Sequence, residues 1–161
     1  MYALQDNLQN IKILLSDVGS FELKNLNTHS EGIEYGACHF ELNDLKIEYR
    51  VSKITPTKTG QFVTIWKRNT QGITAPFDVA DAIDFVIITS KNGDNWGQFV
   101  FPKMVLVEKG IFSQNEKGGK RGIRVYPPWD KAMNKQAEKT QNWQLKYFFT
   151  ADNFINSEIF C

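Results

Sequence analysis

The chain has 161 residues, a formal net charge of +1 and 42% hydrophobic residues. A chain of this length forms one domain, residues 1–161, which can bury roughly two thirds of the surface that it exposes when unfolded, so it needs no disulfide or metal for stability. The longest apolar runs are too short for a membrane span, and the first ten residues lack the basic and apolar parts of a signal peptide. We therefore expect an intracellular protein, rather than a secreted or membrane protein, whose Cys38 and Cys161 are free thiols.

The first third of the chain predicts a helix, a connection and a hairpin. Apolar residues recur at helical spacing over residues 3–18, which predicts an amphipathic helix. The polar residues 19–36 predict a long connection. Strands are predicted near 37–42 and 45–54, on either side of the turn signal Asn43-Asp44, and the alternation in the second strand predicts one face exposed to solvent.

The middle of the chain predicts strands separated by loops. A loop with Pro and Gly at 55–60 precedes a strand at 61–68 that has apolar residues on both faces, which is typical of a central strand. A loop at 69–83 leads into the β-branched strand 85–88, and a turn at 91–94 leads into a strand at 97–107.

The last third predicts a flexible loop, a strand and a closing helix. The loop covers residues 113–120, the strand residues 121–126, and Pro127-Pro128 ends the strand. Residues 134–149 predict the helix, with Thr140, Trp143 and Tyr147 on one face. The predicted fold class is therefore α/β (α+β), a mixed and mostly antiparallel sheet flanked by an N-terminal and a C-terminal helix.

The charges are segregated along the chain although the net charge is small. Residues 1–49 carry −5 and residues 69–102 carry −3, whereas residues 50–68 carry +5 and residues 103–124 carry +4. If the two basic segments lie side by side, they form a surface that attracts an anionic polymer. The alternative is an ordinary solvated surface on which the charges are scattered.

The glycine-rich segment 118–122, GGKRG, offers backbone N–H groups and two cations to an anion, although it lacks the spacing of a P-loop. The alternative is a hairpin loop that binds no ligand. Trp129 follows two prolines and is the tryptophan that we expect to be partly exposed, with the other tryptophans in the core.

Catalytic motifs in the sequence are weak. Asp44-Leu45-Lys46 matches the D-x-K triplet of Mg²⁺-dependent nucleases, with Glu34 upstream, but a tight turn is a poor place for a rigid metal site. His29 and His39 lie ten positions apart with no third ligand in view, so His39 is interpreted as a strand residue whose hydrogen bonds are satisfied. The acidic residues Asp78, Asp81 and Asp84 are interpreted as loop caps. We predict no catalytic residue, no metal and no cofactor.

Three segments together resemble the MepB family: Val51 to Arg68, Phe99 to Lys103, and Gly118 to Asp130 followed by Gln136-Ala137, Thr140-Gln141 and Trp143-Gln144-Leu145. The likeness runs in order through about residues 40–148. The resemblance implies a small bacterial cytoplasmic protein with the fold of PD-(D/E)xK, restriction-endonuclease-like proteins. It also implies a degenerate nuclease site, because Ile65-Trp66-Lys67 stands where the (D/E)xK triplet is expected and Glu48 is the one carboxylate on the preceding strand.

We therefore expect a non-catalytic protein that binds RNA or single-stranded DNA with low sequence specificity. Two alternatives stay open: an Mg²⁺-dependent nuclease that uses Glu48, Asp84 or Asp44, and a binder of small molecules or of a partner protein in a drug-stress response. The candidate nucleic-acid-binding residues are Arg50, Lys53, Lys58, Gln61, Lys67, Arg68, Lys103, Lys120, Arg121, Arg124 and Trp129.

Overall fold

The computed structural model describes residues 22–150, so the helix predicted at 3–18 lies outside the described residues. The main element is a six-stranded sheet with the order β1-β2-β3-β8-β9-β11. Its strands are β1 (Leu23–Thr28), β2 (Cys38–Leu42), β3 (Leu45–Val51), β8 (Phe85–Asn92), β9 (Asn95–Pro102) and β11 (Phe148–Phe149). The neighbours β3 and β8 are parallel, and the other neighbouring pairs are antiparallel. The mixed, mostly antiparallel sheet is thus confirmed.

Two smaller sheets carry the rest of the strands in this part of the chain. The first has the order β10-β5-β4, and the second pairs β6 with β7. Their strands are β4 (Lys53–Ile54), β5 (Gln61–Thr64), β6 (Trp66–Arg68), β7 (Thr74–Pro76) and β10 (Gly122–Val125). The predicted strand 61–68 is divided into β5 and β6, which lie in different sheets. Strand β5 is central in its sheet, and Val63 in β5 and Ile65 just after it are buried.

Two α-helices lie in the described region, α1 (Lys103–Glu108) and α2 (Lys135–Gln144). Short 3-10 helices cover Ile33–Tyr35 and Leu145–Tyr147. None of the helices within residues 22–150 is long and apolar enough to cross a membrane.

Both faces of the main sheet are buried, as the alternation along β8 shows. Val86 and Ile88 belong to one core cluster, and Ile87 between them belongs to another. The first cluster contains a group of aromatic rings, in which Phe99 packs against Phe101 and Phe148. A strand whose side chains are buried on both faces reads as a continuous apolar run, which is why the sequence around residue 87 predicted β8 so clearly.

Several predicted elements differ from the structure. The strand at 97–107 ends at Pro102, and helix α1 begins there because the straight-chain residues that follow are good helix formers. The predicted connection 19–36 contains strand β1, and the predicted loop 69–83 contains β7. The closing helix ends at Gln144 rather than at residue 149, because Phe148 and Phe149 pair with β9.

The predicted exposed face of β3 is also wrong. Glu48 and Arg50 lie on the face that alternates with Tyr49, but they are 6% and 3% exposed. Their charges compensate each other, because Arg50 Nη1 donates to Glu48 Oε2 at 2.9 Å. A buried pair of opposite charges looks like surface residues in the sequence pattern, which records polarity and not partners.

Candidate functional site

A concave cleft of about 360 Å³ lies between strand β10 and helix α2. Residues from the chain just after α1 and from the loop before β10 complete its wall. Three of its lining residues are cations, Lys109, Lys120 and Arg124, and none of the described lining residues is acidic. The cleft therefore concentrates positive charge in a chain whose net charge is only +1.

Two amide side chains, the buried Gln144 and the half-buried Gln141, hold helix α2 against strand β10 and the segment that follows it. Gln144 Oε1 accepts from the Tyr126 backbone N–H at 2.8 Å, and Gln144 Nε2 donates to the Arg124 carbonyl at 3.0 Å. Gln141 Nε2 donates to the carbonyl groups of Pro127 and Asp130 at 3.0 and 2.8 Å. These bonds fix the distance between the two walls of the cleft.

Helix α2 begins at a side-chain cap on the rim of the cleft. Asn134 has extended backbone angles, and its Oδ1 accepts from the Ala137 backbone N–H at 2.8 Å. This bond satisfies one of the four N–H groups that the first turn of a helix leaves without an intrahelical partner.

Aromatic rings and cations alternate along the cleft. Lys109 Nζ lies 5.4 Å from the ring centre of Trp143, which packs in turn on Phe101. Arg124 Nη1 donates to Thr55 Oγ1 at 3.0 Å and to the Thr59 carbonyl at 3.3 Å. Since these acceptors are neutral, they orient the guanidinium without cancelling its charge.

The two basic segments of the sequence meet in one sheet. Strand β10 pairs with β5, so that Arg124 lies opposite Phe62, and β5 pairs with β4. The loop 55–60, which carries the exposed Lys58, contacts Arg124 through Thr55 and Thr59. The sequence segregation of charge therefore corresponds to a juxtaposition in space.

Most cations of the first basic segment are nevertheless engaged by the protein. Arg68 makes a two-pronged ion pair with Glu31, with N···O distances of 2.8 to 3.0 Å. Lys67 Nζ lies 2.7 Å from Asp81, and Lys53 Nζ lies 3.6 Å from Glu34. The pairs of Arg68 and Lys53 are exposed and exchange with solvent at little cost, so these two residues can still contribute to a surface potential, whereas the pair of Lys67 is partly buried.

Arg50 and Gln61 do not reach the surface, contrary to their predicted roles. Besides its pair with Glu48, Arg50 donates to the carbonyls of Tyr49 and Thr64. Gln61 is 1% exposed and accepts from Ser52 Oγ at 2.7 Å. Both polar side chains therefore form hydrogen bonds with protein groups in the interior rather than with an external ligand.

The remaining candidates occupy intermediate positions. Lys103 Nζ donates to the carbonyls of Val79 and Asp81, and Arg121 donates to the Thr74 carbonyl. Trp129 is half-buried and packs edge-on against Phe148 at 5.8 Å.

The glycine-rich segment is explained by packing as well as by chain reversal. Gly118 and Gly119 have φ of 75° and 89°, and a Cβ on Gly119 would lie 2.6 Å from Pro76 Cβ. Gly118 lines a separate cavity together with Asp78, Asp81 and Glu116, so this part of the segment faces carboxylates.

Residues 29–150 match the model of a protein family that is described as MepB-like. The chain belongs to the MepB-like family. A crystal structure of MepB is 39% identical in sequence, with a TM-score of 0.75, and the match covers 86% of this chain and 95% of that one. A search of curated proteins gave no significant match.

The family segments noted in the sequence map onto this cleft. Within the MepB-like chain, Lys120, Arg124 and Tyr126 belong to the segment from Gly118 to Asp130, and Gln136, Thr140 and Trp143 belong to the short blocks that follow. Of these residues, sequence reasoning singled out Lys120 and Arg124 as binding residues. It placed Thr140 and Trp143 on one helix face but interpreted Trp143 as core.

Sequence reasoning also missed a second polar group in the MepB-like chain. His29, His39 and Glu48 converge from three neighbouring backbone segments, with ligand atoms within 4.8 Å of one another. The ten-residue spacing of the histidines carried no signal, because the third member comes from strand β3. Strand pairing brings it opposite His39.

The acidic residues considered as nuclease ligands have structural partners. Asp84 Oδ2 accepts from the Lys46 backbone N–H at 2.7 Å, and Asp44 pairs with Lys24 at 2.9 Å. Asp78 accepts from Ser113 Oγ and from the Ala80 backbone N–H, and these hydrogen bonds lower the pKa of its carboxyl group. Asp78 and Asp81 each accept from a backbone N–H of the loop, as predicted, whereas Asp84 accepts from strand β3 instead.

Proposed function

We propose that this protein binds single-stranded nucleic acid, RNA or DNA, in the cleft between β10 and α2, with low sequence specificity and without cleaving it. The observation that carries the proposal is the lining of the cleft, where Lys109, Lys120 and Arg124 occur with no acidic residue among the described ones. Three phosphates of a flexible strand fit such a lining better than a compact neutral molecule does.

The aromatic residues of the cleft support a strand with unstacked bases. Tyr126 and Trp143 line the cleft beside Arg124 and Lys109. Aromatic rings next to cations accept bases of any identity, since every base has a flat π face, whereas sequence readout needs base-edge hydrogen bonds. The polar side chains of Gln136 and Thr140 are suited to contacts with sugar hydroxyls and base edges.

We include in this proposal that the main sheet is related to the fold of PD-(D/E)xK nucleases. Under this interpretation the family has kept a groove for nucleic acid and lost the metal-binding carboxylates, since Ile65 is 1% exposed and apolar where the acid of the triplet is expected. Fold similarity alone does not fix function, so the weight of the proposal lies on the cleft.

The test is fluorescence anisotropy with labelled 20-nucleotide RNA and DNA strands of mixed sequence. We expect the triple variant Lys109→Ala, Lys120→Ala, Arg124→Ala to bind every strand at least about tenfold more weakly than the parent. The matched control removes three exposed lysines that do not line the cleft, Lys91, Lys131 and Lys146. It loses the same net charge, so any difference between the two triple variants reports the location of the site.

Equal losses in both triple variants would mean non-specific attraction and would refute the cleft as the site. The cleft would also be refuted if the parent bound the strands no more tightly than the variant that lacks Lys109, Lys120 and Arg124. Strand integrity is followed on gels with Mg²⁺ present, because Mg²⁺-dependent cleavage by the parent protein would favour the nuclease alternative instead.

A further inference from the structure

The backbone register brings two histidines and a glutamate to one point on the main sheet. His39 of β2 lies directly opposite Glu48 of β3. His29 follows β1, and its N–H donates to the Ala37 carbonyl at 3.0 Å, so the pairing with the segment before β2 continues to this residue. Directly opposed residues of antiparallel strands point to the same face, so the three side chains converge.

The distances between the polar atoms suit a shared cation. His29 Nε2 lies 3.2 Å from Glu48 Oε2, and His39 Nδ1 lies 3.9 Å from Glu48 Oε1. Ligands of a tetrahedral zinc ion, bound at about 2.1 Å, lie about 3.4 Å from each other. The first observed distance is slightly shorter than this value and the second is longer. A small rotation of the half-exposed His39 ring would shorten the second distance to the required value.

One of these atoms has no hydrogen-bond partner. The Nδ1 atom of His39 is inaccessible to solvent and is not hydrogen-bonded to any described residue. It points towards Glu48 Oε1 at a distance too long for a hydrogen bond. A buried polar atom without a partner is costly, and a cation between the imidazole and the carboxylate would remove that cost.

Arg50 holds the glutamate in position. Its Nη1 atom donates to Glu48 Oε2 at 2.9 Å and to the Tyr49 carbonyl, and its Nε atom donates to the Thr64 carbonyl. Oε1 therefore stays directed towards His39. Outer partners of this kind orient metal ligands. A set of two imidazoles and one carboxylate disfavours Mg²⁺ and Ca²⁺, which need several oxygen ligands, relative to metals that bind through neutral imidazoles.

Two members of the group, His39 and Glu48, open onto a cavity of about 400 Å³ that is distinct from the basic cleft, and His29 lines another cavity together with Arg50. His39 and Glu48 line the first cavity together with Asn27, Lys46 and Asp81, and it shares no lining residue with the basic cleft. A metal held by three protein ligands at its edge would keep a coordination position that water or a small ligand can reach.

We propose that His29, His39 and Glu48 form a binding site for a divalent transition metal of the zinc type, with an open coordination position facing this cavity. The site goes beyond nucleic-acid binding and does not depend on it. Loss of metal binding would leave the basic cleft unaffected, and loss of nucleic-acid binding would leave the metal site unaffected.

The test uses tag-free Cys161→Ser protein, in which buried Cys38 is the remaining thiol. Isothermal titration with Zn²⁺ is expected to show one site per chain. Substituted Co²⁺ should give the visible absorption of a low-symmetry nitrogen and oxygen site, without a thiolate charge-transfer band. The chain contains only these two histidines, so NMR spectra of labelled imidazoles should show both of them shifting with Zn²⁺.

Substitutions then assign the ligands. His29→Ala and His39→Ala should each weaken Zn²⁺ binding by about 100-fold. The matched control is Glu41→Gln, a carboxylate on the same strand β2 and in the same cavity but outside the ligand group. Because Glu48→Gln leaves Arg50 buried without its partner and can fail to fold, the histidine variants decide the question.

Absence of a one-to-one Zn²⁺ complex in the parent protein would overturn the proposal. So would Zn²⁺ binding in His39→Ala that equals the parent's, or NMR signals of the two imidazoles that do not move. An equal weakening by Glu41→Gln would place the ion deeper in the cavity, on other ligands, and would overturn this ligand set.

Discussion

At the scale of single residues, the buried pair of Glu48 and Arg50 is the feature with the largest expected energetic effect. Arg50→Ala removes the hydrogen bond to Glu48 Oε2 and leaves a carboxylate that is 6% exposed without its guanidinium. We expect the free energy of unfolding to fall by about 3–5 kcal/mol. Urea unfolding measures this, with Lys58→Ala, an exposed cation of the same basic segment, as a control expected within about 0.5 kcal/mol of the parent.

A loss below about 1 kcal/mol in Arg50→Ala would mean that solvent reaches Glu48. The same experiment separates two roles of Arg50. A core residue changes stability, whereas a phosphate-binding residue changes affinity in a protein that remains fully folded.

Cys38 gives a second prediction at the residue scale. Burial raises the pKa of its thiol to about 12. The charged form is the one that desolvation disfavours, and at pH 8 only about one thiol in ten thousand would then be ionised. Native Cys161→Ser protein should therefore not react with iodoacetamide at pH 8, and it should take up one equivalent in urea. Mass spectrometry measures both, and rapid labelling of the native protein would contradict the burial.

At the scale of secondary structure, the sequence predicted those elements whose own residues determine their conformation. Asn43 and Asp44 both adopt positive φ, 48° and 72°, which is the backbone of a tight hairpin turn and which Asn and Asp tolerate. The apolar run 85–88 lies inside β8. Strand β1 was missed because its outer residues are polar and exposed, and its partner β2 rather than its own sequence holds it.

The same distinction applies to the candidate sites. Lys120 and Arg124 were predictable because local charge density marked them. Lys109 and Asn134 reach the cleft only through the packing of α1 and α2, and His29, His39 and Glu48 meet only through the register of β1, β2 and β3. Contacts that depend on pairing between distant segments produce no periodic pattern of residues in the sequence, so they cannot be predicted from it.

Asn134 supplies the prediction at this scale, because it both caps helix α2 and lines the basic cleft. Asn134→Ala removes the cap and should lower the free energy of unfolding by about 1 kcal/mol, with little change in affinity for nucleic acid. Asn134→Asp keeps a capping oxygen but places a negative charge in the cleft. At a few ångströms from a phosphate that charge costs about 1 kcal/mol, or about fivefold in affinity.

Thermal unfolding and fluorescence anisotropy on the two Asn134 variants measure the two effects separately. The expected pattern is a loss of stability in one variant and a loss of affinity in the other. Affinity that is unchanged in Asn134→Asp would place the nucleic acid away from the start of α2.

At the scale of the whole molecule, charge is organised by the pairing of β10 with β5. This pairing joins two basic segments that are separated by an acidic one in the sequence. Ion pairs then neutralise much of the first segment at Arg68, Lys67 and Lys53. Lys109, Lys120 and Arg124 of the cleft and Lys58 on the adjoining loop have no carboxylate partner among the described residues.

This arrangement predicts the salt dependence of nucleic-acid binding. Under the proposed function, Lys109, Lys120 and Arg124 of the cleft, with Lys58 on the loop that Arg124 contacts, would provide four phosphate contacts. Each contact on a single strand contributes about −0.7 to the slope of log affinity against log salt concentration, so we expect a slope of about −3. Removing Lys120 alone should reduce the magnitude of this slope by about 0.7, because one condensed counterion fewer is released.

Anisotropy titrations over a series of KCl concentrations measure both slopes. A parent slope near zero would mean that the strand is held by stacking or hydrogen bonds alone, and a slope that Lys120→Ala leaves unchanged would mean that the phosphates do not pass through this cleft.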